Sequence, residues 1–141
     1  MDIRIIPFLF ENHDEVRSLW RRCDGIALSA ADSRQNIKKY LEHNSETSFI
    51  AKDQDRITGA VLGGHDGRRG YLHHLAVLPE YRRDGIGRKL AARCLKALQS
   101  AGIQKCHLFI FNNNITGSQF WEKIGWTFRT DLSVVSMTID I

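Results

Sequence analysis

The sequence predicts an α/β domain, read as one unit over residues 1–141. Apolar runs of strand length recur along the chain, and segments of helical period lie between most of them. One run, "CHLFIF" at 106–111, is apolar almost throughout, as expected for a strand covered on both faces of a sheet.

Ile3–Ile6 is a short apolar run stopped by Pro7 and predicts the first strand. Asn12 with Glu15 three residues later has capping-box spacing, with Asn in place of the usual Ser or Thr. Val16, Leu19, Trp20 and Cys23 then recur at helical spacing until Gly25 ends the segment. A second helix is expected after Asp32 or Ser33, with Ile37, Tyr40 and Leu41 on its buried side. "SFIAK" (48–52) and "ITGAVLGG" (57–64) predict two strands joined by the turn Asp53-Gln54-Asp55.

Five of the eleven glycines fall between Gly59 and Gly70, which favours a mobile or sharply turned segment before the strand Tyr71–Val77. Within it, His65–Arg69 reads either as a loop over a substrate site or as a plain hairpin connection. From Asp84 to Ala101, the residues Ile86, Leu90, Cys94, Leu95 and Leu98 trace one helical stripe, and Gly102 is a natural stop. A short helix over Gly117–Ile124 and two last strands, near Trp126–Thr130 and Val134–Ile139, complete the plan.

Composition narrows the function. With 43% hydrophobic residues and no apolar run of membrane length, no membrane partner is expected. The start "MDIRIIPF" lacks a signal peptide's apolar core, and the three cysteines are widely spaced without a C-x-x-C. Both features predict a cytoplasmic protein with reduced thiols and no metal site. The net charge of +4 suits an anionic partner. No helix-turn-helix, zinc-finger or RNA-binding signature supports nucleic acid, whereas a phosphate-bearing small molecule satisfies the same charge.

The sharpest local signal is "LAVLPEYRRDGIGRKL" at 75–90. An apolar strand ends at Pro79, and Arg82-Arg83-Asp84-Gly85-Ile86-Gly87 then opens a long amphipathic helix. Gly85 and Gly87 let a ligand approach the backbone, and first-turn N–H groups at the positive end of a helix suit a pyrophosphate. Arg82, Arg83, Arg88 and Lys89 add positive charge. A plain strand-to-helix turn with solvated arginines fits the same residues. A dinucleotide-binding turn does not, because the spacing is not G-x-G-x-x-G.

This stretch, followed by a strand, by Asn114 and by "FWEKIGW" at 120–126, resembles the GNAT superfamily of acetyl-CoA-dependent N-acetyltransferases. The resemblance covers Ile3 to Ile139 in element order and 75–126 in motif detail. "GGHDGRRGYLHHLAV" further resembles a bacterial subgroup of small members without assigned substrates. It implies a mixed central sheet of about six to seven strands with helices on both faces. It also implies acetyl-CoA as co-substrate. Leu75, Ala76 and Val77 would pair with its pantetheine arm, and backbone N–H groups from Arg83 through Asp84, Gly85, Ile86 and Gly87 to Arg88 would hold its pyrophosphate. Arg82 flanks that loop, Asn114 matches a position that contacts the arm, and the strand 106–111 would splay from Tyr71–Val77 to leave the slot.

Transfer needs a neutral amine, so a base or a water chain must remove a proton. Strand parity puts Tyr71 and His73 on one face and His74 on the other. The arrangement resembles the His-x-His that precedes the equivalent L-A-V in arylalkylamine N-acetyltransferases, with Tyr71 in place of the first histidine. His73 is the preferred base, acting through water with Tyr71 beside it; a hydrogen-bonded strand residue without a catalytic part is the other reading. The strand glutamate of many relatives is missing. At Trp121 the family commonly has a tyrosine that protonates the departing thiolate, and an indole N–H can only donate a hydrogen bond. Trp121 either bonds the sulfur or packs beside the arm.

Acetyl transfer to a primary amine, on a small molecule or a protein, is the function so implied. An acetyl-CoA-binding module that senses or scaffolds is the alternative. The resemblance leaves a homodimer open.

Overall fold

The computed structural model describes residues 2–140. They fall into two compact units, one running to Phe109 and the other beginning at Ile110. The first unit holds a sheet in the order β1-β2-β3-β4-β5, with β1 Ile3–Pro7, β2 Phe49–Asp53, β3 Arg56–His65, β4 Gly70–Val77 and β5 Cys106–Leu108. The first four strands are antiparallel neighbours, and β5 joins β4 in parallel. A parallel neighbour needs a crossover, and α3 (Ile86–Ser100) supplies it. The remaining helices of this unit are α1 (His13–Arg21) and α2 (Arg34–His43).

Among the described residues the sheet is mixed, as expected, but has five strands rather than about six to seven. No strand forms near Trp126–Thr130 or Val134–Ile139: residues 126–140 carry neither helix nor strand. Val135, Met137 and Ile139 are 92%, 90% and 84% exposed, so their alternation marks an apolar row that nothing among the described residues covers. Alternation alone does not make a strand, which also needs a neighbour to take its N–H and C=O groups. "CHLFIF" likewise yields only three strand residues, and Phe109 and Phe111 are exposed rather than covered.

The helices start and stop for local reasons. Ser33 accepts the Asn36 N–H at 3.2 Å and caps α2. Asn12 does not cap α1; its Oδ1 accepts the Leu9 N–H at 2.8 Å, one turn earlier. Glu15 reaches away from its own helix to accept the Ile57 N–H of β3 at 2.8 Å, so the capping-box reading fails for both residues. Gly102, at φ +86°, ends α3 as expected. Leu95 is the one residue of the expected α3 stripe that is exposed.

α1 and α2 cover one face of the sheet. Val16, Leu19, Trp20 and Ile37 form a single buried cluster there with Ile50, Ala60, Leu62 and Ala76. Each such large side chain contributes roughly 1.5–3 kcal/mol on burial. α3 covers the other face and lies close to it because that face is built of glycine. A Cβ at Gly59 would stand 3.0 Å from Leu90 Cδ1, and one at Gly70 would stand 2.8 Å from Leu98 Cδ1. A Cβ at Gly63 would collide with the Thr47 carbonyl.

The glycines between 59 and 70 therefore serve close packing rather than mobility. Gly59, Gly63 and Gly64 lie inside β3, and Gly70 starts β4. Only Gly67 sits in the turn, at φ +91°. That turn is a tight hairpin connection. Asp66 Oδ1 accepts the N–H groups of Arg68 and Arg69, each at 2.8 Å, and His65 Nδ1 accepts that of Gly67 at 3.0 Å.

Between β4 and α3 the chain makes a 3-10 turn, Pro79–Tyr81, that three other elements tie down. Glu80 receives Arg22 at 2.9 Å and Arg56 at 3.0 Å, while the Tyr81 hydroxyl donates to Asp53 Oδ2 at 2.7 Å. A backbone N–H and then the two guanidinium groups hold the Glu80 carboxyl down at about 2.

Gly63→Ala is expected to lower the thermal midpoint by roughly 5–12 °C, the consequence of overpacking beside Thr47. An unchanged midpoint in Gly63→Ala would contradict the packing account. For Glu80 the depressed folded pKa means its stabilisation is present above the unfolded value near ~4.3 and is lost as pH falls towards the folded one. Thermal melts of Glu80→Gln should therefore lie below wild type at pH 7 and converge with it as pH falls from about 5 to 2. A constant difference across that range would show that the ion pairs are not its source.

Candidate active site

Over the stretch where they pair, β4 contains one residue more than β3. Between the pairs Ala60–Ala76 and Leu62–His73, β3 takes two steps and β4 takes three. Val61 thus faces both His74 and Leu75, which is a β-bulge. His74 carries the strain with φ +53°, a left-handed conformation that costs a residue other than glycine about 1–3 kcal/mol.

The bulge overturns the parity reading of the histidines. His73 has its ring 6.2 Å from Tyr40 of α2, and His74 has its ring 5.1 Å from Trp20 of α1. Both rings therefore lie on the face covered by α1 and α2, because the extra residue resets the alternation. Tyr71 shares that face, stacked on His73 at 6.4 Å, and Phe109 lies 6.2 Å from Tyr71 and 6.4 Å from His73.

The two histidines have different company. His73 is half-buried among these rings; burial, then the neighbouring His74, pushes its pKa below the usual imidazole value despite an opposing pull from Asp32. It is thereby kept neutral at pH 7, as a base must be. His74 instead meets a carboxylate, with Nε2 2.9 Å from Asp32 Oδ1. A carboxylate accepts, so Nε2 is the donor. The His74 carbonyl accepts the Trp20 Nε1–H at 3.1 Å. On the ring that packs against His73, the Tyr40 hydroxyl is buried without a hydrogen-bond partner among the described residues, and burial pushes its pKa up.

β5 pairs with β4 only from Gly70–Cys106 to Leu72–Leu108. Beyond Leu72 the side of β4 turned away from β3 has no strand partner among the described residues, and Leu75, Ala76 and Val77 lie on this stretch. That edge runs directly into the turn before α3. Arg83 at φ +73° and Gly85 at φ +78° are both left-handed there, and a Cβ on Gly85 would meet nothing within 4 Å. Gly85 is the N-cap of α3 and has no side chain to satisfy the first-turn donors. The open cradle fits an anionic group at Ile86, Gly87 and Arg88, with the Arg83, Asp84 and Arg88 side chains exposed around it. Arg82 is placed differently from the other arginines: its Nε–H is spent on the Val77 carbonyl at 3.1 Å, which locks the strand end.

In the second unit, Asn114 caps α4 (Ile115–Lys123) by accepting the Gly117 N–H at 2.9 Å. Trp121 is buried, with Phe120 at 5.0 Å and Trp126 at 4.9 Å, both edge-on. Its carbonyl accepts the Trp126 N–H at 2.9 Å. Trp121 is a packing centre of this unit.

Asp32, Trp20 and Tyr40 do not stand out in the sequence as site residues. Asp32 reads as a helix start, and its partner lies 42 positions away. The only available signal is a buried-type acid beside a helix cap, which is too common to select.

Comparison with known proteins bears on the family and the fold. The family model described as the acetyltransferase (GNAT) family matches residues 13–126. An acetyltransferase of Sodalis glossinidius is 32% identical over 124 residues, covering 88% of this chain and 85% of the relative. An acetyltransferase of Photorhabdus laumondii is 33% identical over 135 residues, covering 96% and 92%. In fold, the chain is similar to PaiA N-acetyltransferase from Thermoplasma acidophilum in complex with coenzyme A, with a TM-score of 0.80 at 19% identity over 92% of each chain. It is also similar to the aminoglycoside N-acetyltransferase AAC(6')-Iy in complex with a CoA bisubstrate analogue, with a TM-score of 0.77 at 15% identity over 99% and 100%. On the family match and the sequence relatives, the chain belongs to the acetyltransferase (GNAT) family.

Proposed function

We propose that this acetyltransferase moves the acetyl group from acetyl-CoA to a primary amine by direct attack on the thioester. The observation that carries the reading is the unpartnered β4 edge leading straight into the open N-terminus of α3. Extended backbone at Leu75, Ala76 and Val77 suits the amide groups of a pantetheine arm. The first-turn N–H groups at Ile86, Gly87 and Arg88 suit a pyrophosphate. The fold neighbours that bind coenzyme A or a CoA bisubstrate analogue support the same co-substrate. Asn114 and Trp121 are included on their motif alone, as is a cytoplasmic location on composition. Among the described residues, no helix is long and apolar enough to cross a membrane.

In the reaction the amine nitrogen bonds to the acetyl carbon and the carbon–sulfur bond breaks. CoA leaves as thiolate, and the amine proton goes to His73, directly or through water beside Tyr71. A thiol with a pKa near ~8.5 leaves without an obligatory acid, so a tryptophan in the tyrosine's place is compatible with turnover. The acceptor is a small-molecule or protein amine.

Release of free CoA thiol with a panel of primary amines tests this. His73→Ala should lower kcat/KM by ~10²-fold or more at pH 7 with acetyl-CoA affinity retained. Because the His73 pKa is lowered, the acid limb of the wild-type profile should fall below pH ~6.5, the rate being lost as the imidazole protonates. A limb centred above pH 7 would exclude His73. Acetyl-CoA binding without turnover on any amine would favour a binding module. Equal kcat for Trp121→Phe and wild type would confirm packing as the role of Trp121, while a gain in Trp121→Tyr alone would show that an acid limits the rate.

A further inference from the structure

His74 holds a conformation that its own chemistry disfavours, and such a residue persists only where its surroundings over-determine it. Two elements outside the sheet grip it. From α1, Trp20 donates its indole N–H to the His74 carbonyl at 3.1 Å and presents its ring to the imidazole at 5.1 Å. From the 3-10 turn before α2, Asp32 takes the Nε2–H at 2.9 Å. Asp32 is itself fixed, with Oδ2 on the Ser29 N–H at 3.1 Å and its carbonyl 3.3 Å from His13 Nε2. Its side chain is only 8% exposed.

The clamp matters for the stretch of β4 beyond His74. Without the extra residue, β4 would pair with β3 one step out of register. A one-residue slip turns every later side chain to the opposite face. His73 and Tyr71 would then turn together away from Tyr40 of α2, or Leu75–Val77 would present a different edge.

We propose that Asp32 and Trp20 are positioning residues for acetyl transfer: they clamp His74 in its left-handed conformation, and the bulge so fixed sets both His73 and the Leu75–Val77 edge. The His74 ring is a handle for the clamp and takes no part in proton transfer. This rests on the acetyl-transfer reading for what the bulge serves, but its test does not require turnover.

Glycine adopts the left-handed region freely, so it should replace the clamp. His74→Gly is expected to keep acetyl-CoA affinity and kcat within about threefold of wild type. His74→Val opposes the conformation and should weaken acetyl-CoA binding about tenfold or more, with kcat/KM down by up to ~10²-fold. Asp32→Ala should behave like His74→Val, and Asp32→Asn, which keeps an accepting oxygen, should fall between it and wild type. The double variant is decisive: in the His74→Gly background, Asp32→Ala should do no further harm to acetyl-CoA affinity. Hydrogen exchange over 72–77 in the ligand-free protein should rise in Asp32→Ala and His74→Val but not in His74→Gly.

If His74→Gly melts too low to assay, His74→Asn, which also tolerates the left-handed region, takes its place. The proposal is overturned if a folded His74→Gly or His74→Asn loses as much as His74→Val, or if Asp32→Ala adds its full effect to His74→Gly. Should wild type release no CoA with any amine, the acetyl-transfer reading falls alone, and exchange at the bulge still decides the clamp.

Discussion

The single extra residue in β4 sets which side chains and which strand edge the candidate site receives. It brings Tyr71, His73 and His74 to one face, where regular alternation would divide them. It also lies near the point where β4 loses its β5 partner, so the same few residues offer side chains to one layer and an edge without a strand partner among the described residues. A strand with unpaired N–H and C=O groups is normally a liability. Here it is short and ends at once in the Pro79–Tyr81 turn, which α1, β2 and β3 hold through Glu80 and Tyr81. The glycine face of β3 and β4 lets α3 sit close against the sheet, and that closeness fixes where the N-terminus of α3 begins.

Charge and burial divide the labour between the two ends of this edge. At the α3 end, exposed arginines and uncapped amides suit the anion of the proposed co-substrate. At the His73 end, aromatic rings and partial burial keep an imidazole neutral. Anion binding and proton acceptance would interfere if they shared one environment. The strand separates them by the length of a few extended residues, the span that an amide-rich arm would bridge.

Much of this is legible in the sequence. The stripe Ile86, Leu90, Cys94 and Leu98 behind Gly85 and Gly87 locates the cradle, because a helix declares itself by local periodicity. The β2–β3 hairpin is equally plain from its turn. The features that escape depend on relations between distant residues. Counting parity along "YLHH" assumes a regular strand, and a bulge carries no local mark when histidine occupies the place that glycine would favour. Asp32 joins the site only through folding. The last strands fail for the converse reason: Val135, Met137 and Ile139 have the right local pattern, but a strand exists only where a neighbour takes its hydrogen bonds.

Backbone amide shifts recorded while acetyl-CoA is titrated into the protein test the central claim most directly. The largest changes are expected at Leu75, Ala76, Val77, Ile86, Gly87 and Arg88, saturating together with one affinity. Saturable binding that leaves those amides unmoved, with the changes elsewhere in the chain, would contradict it.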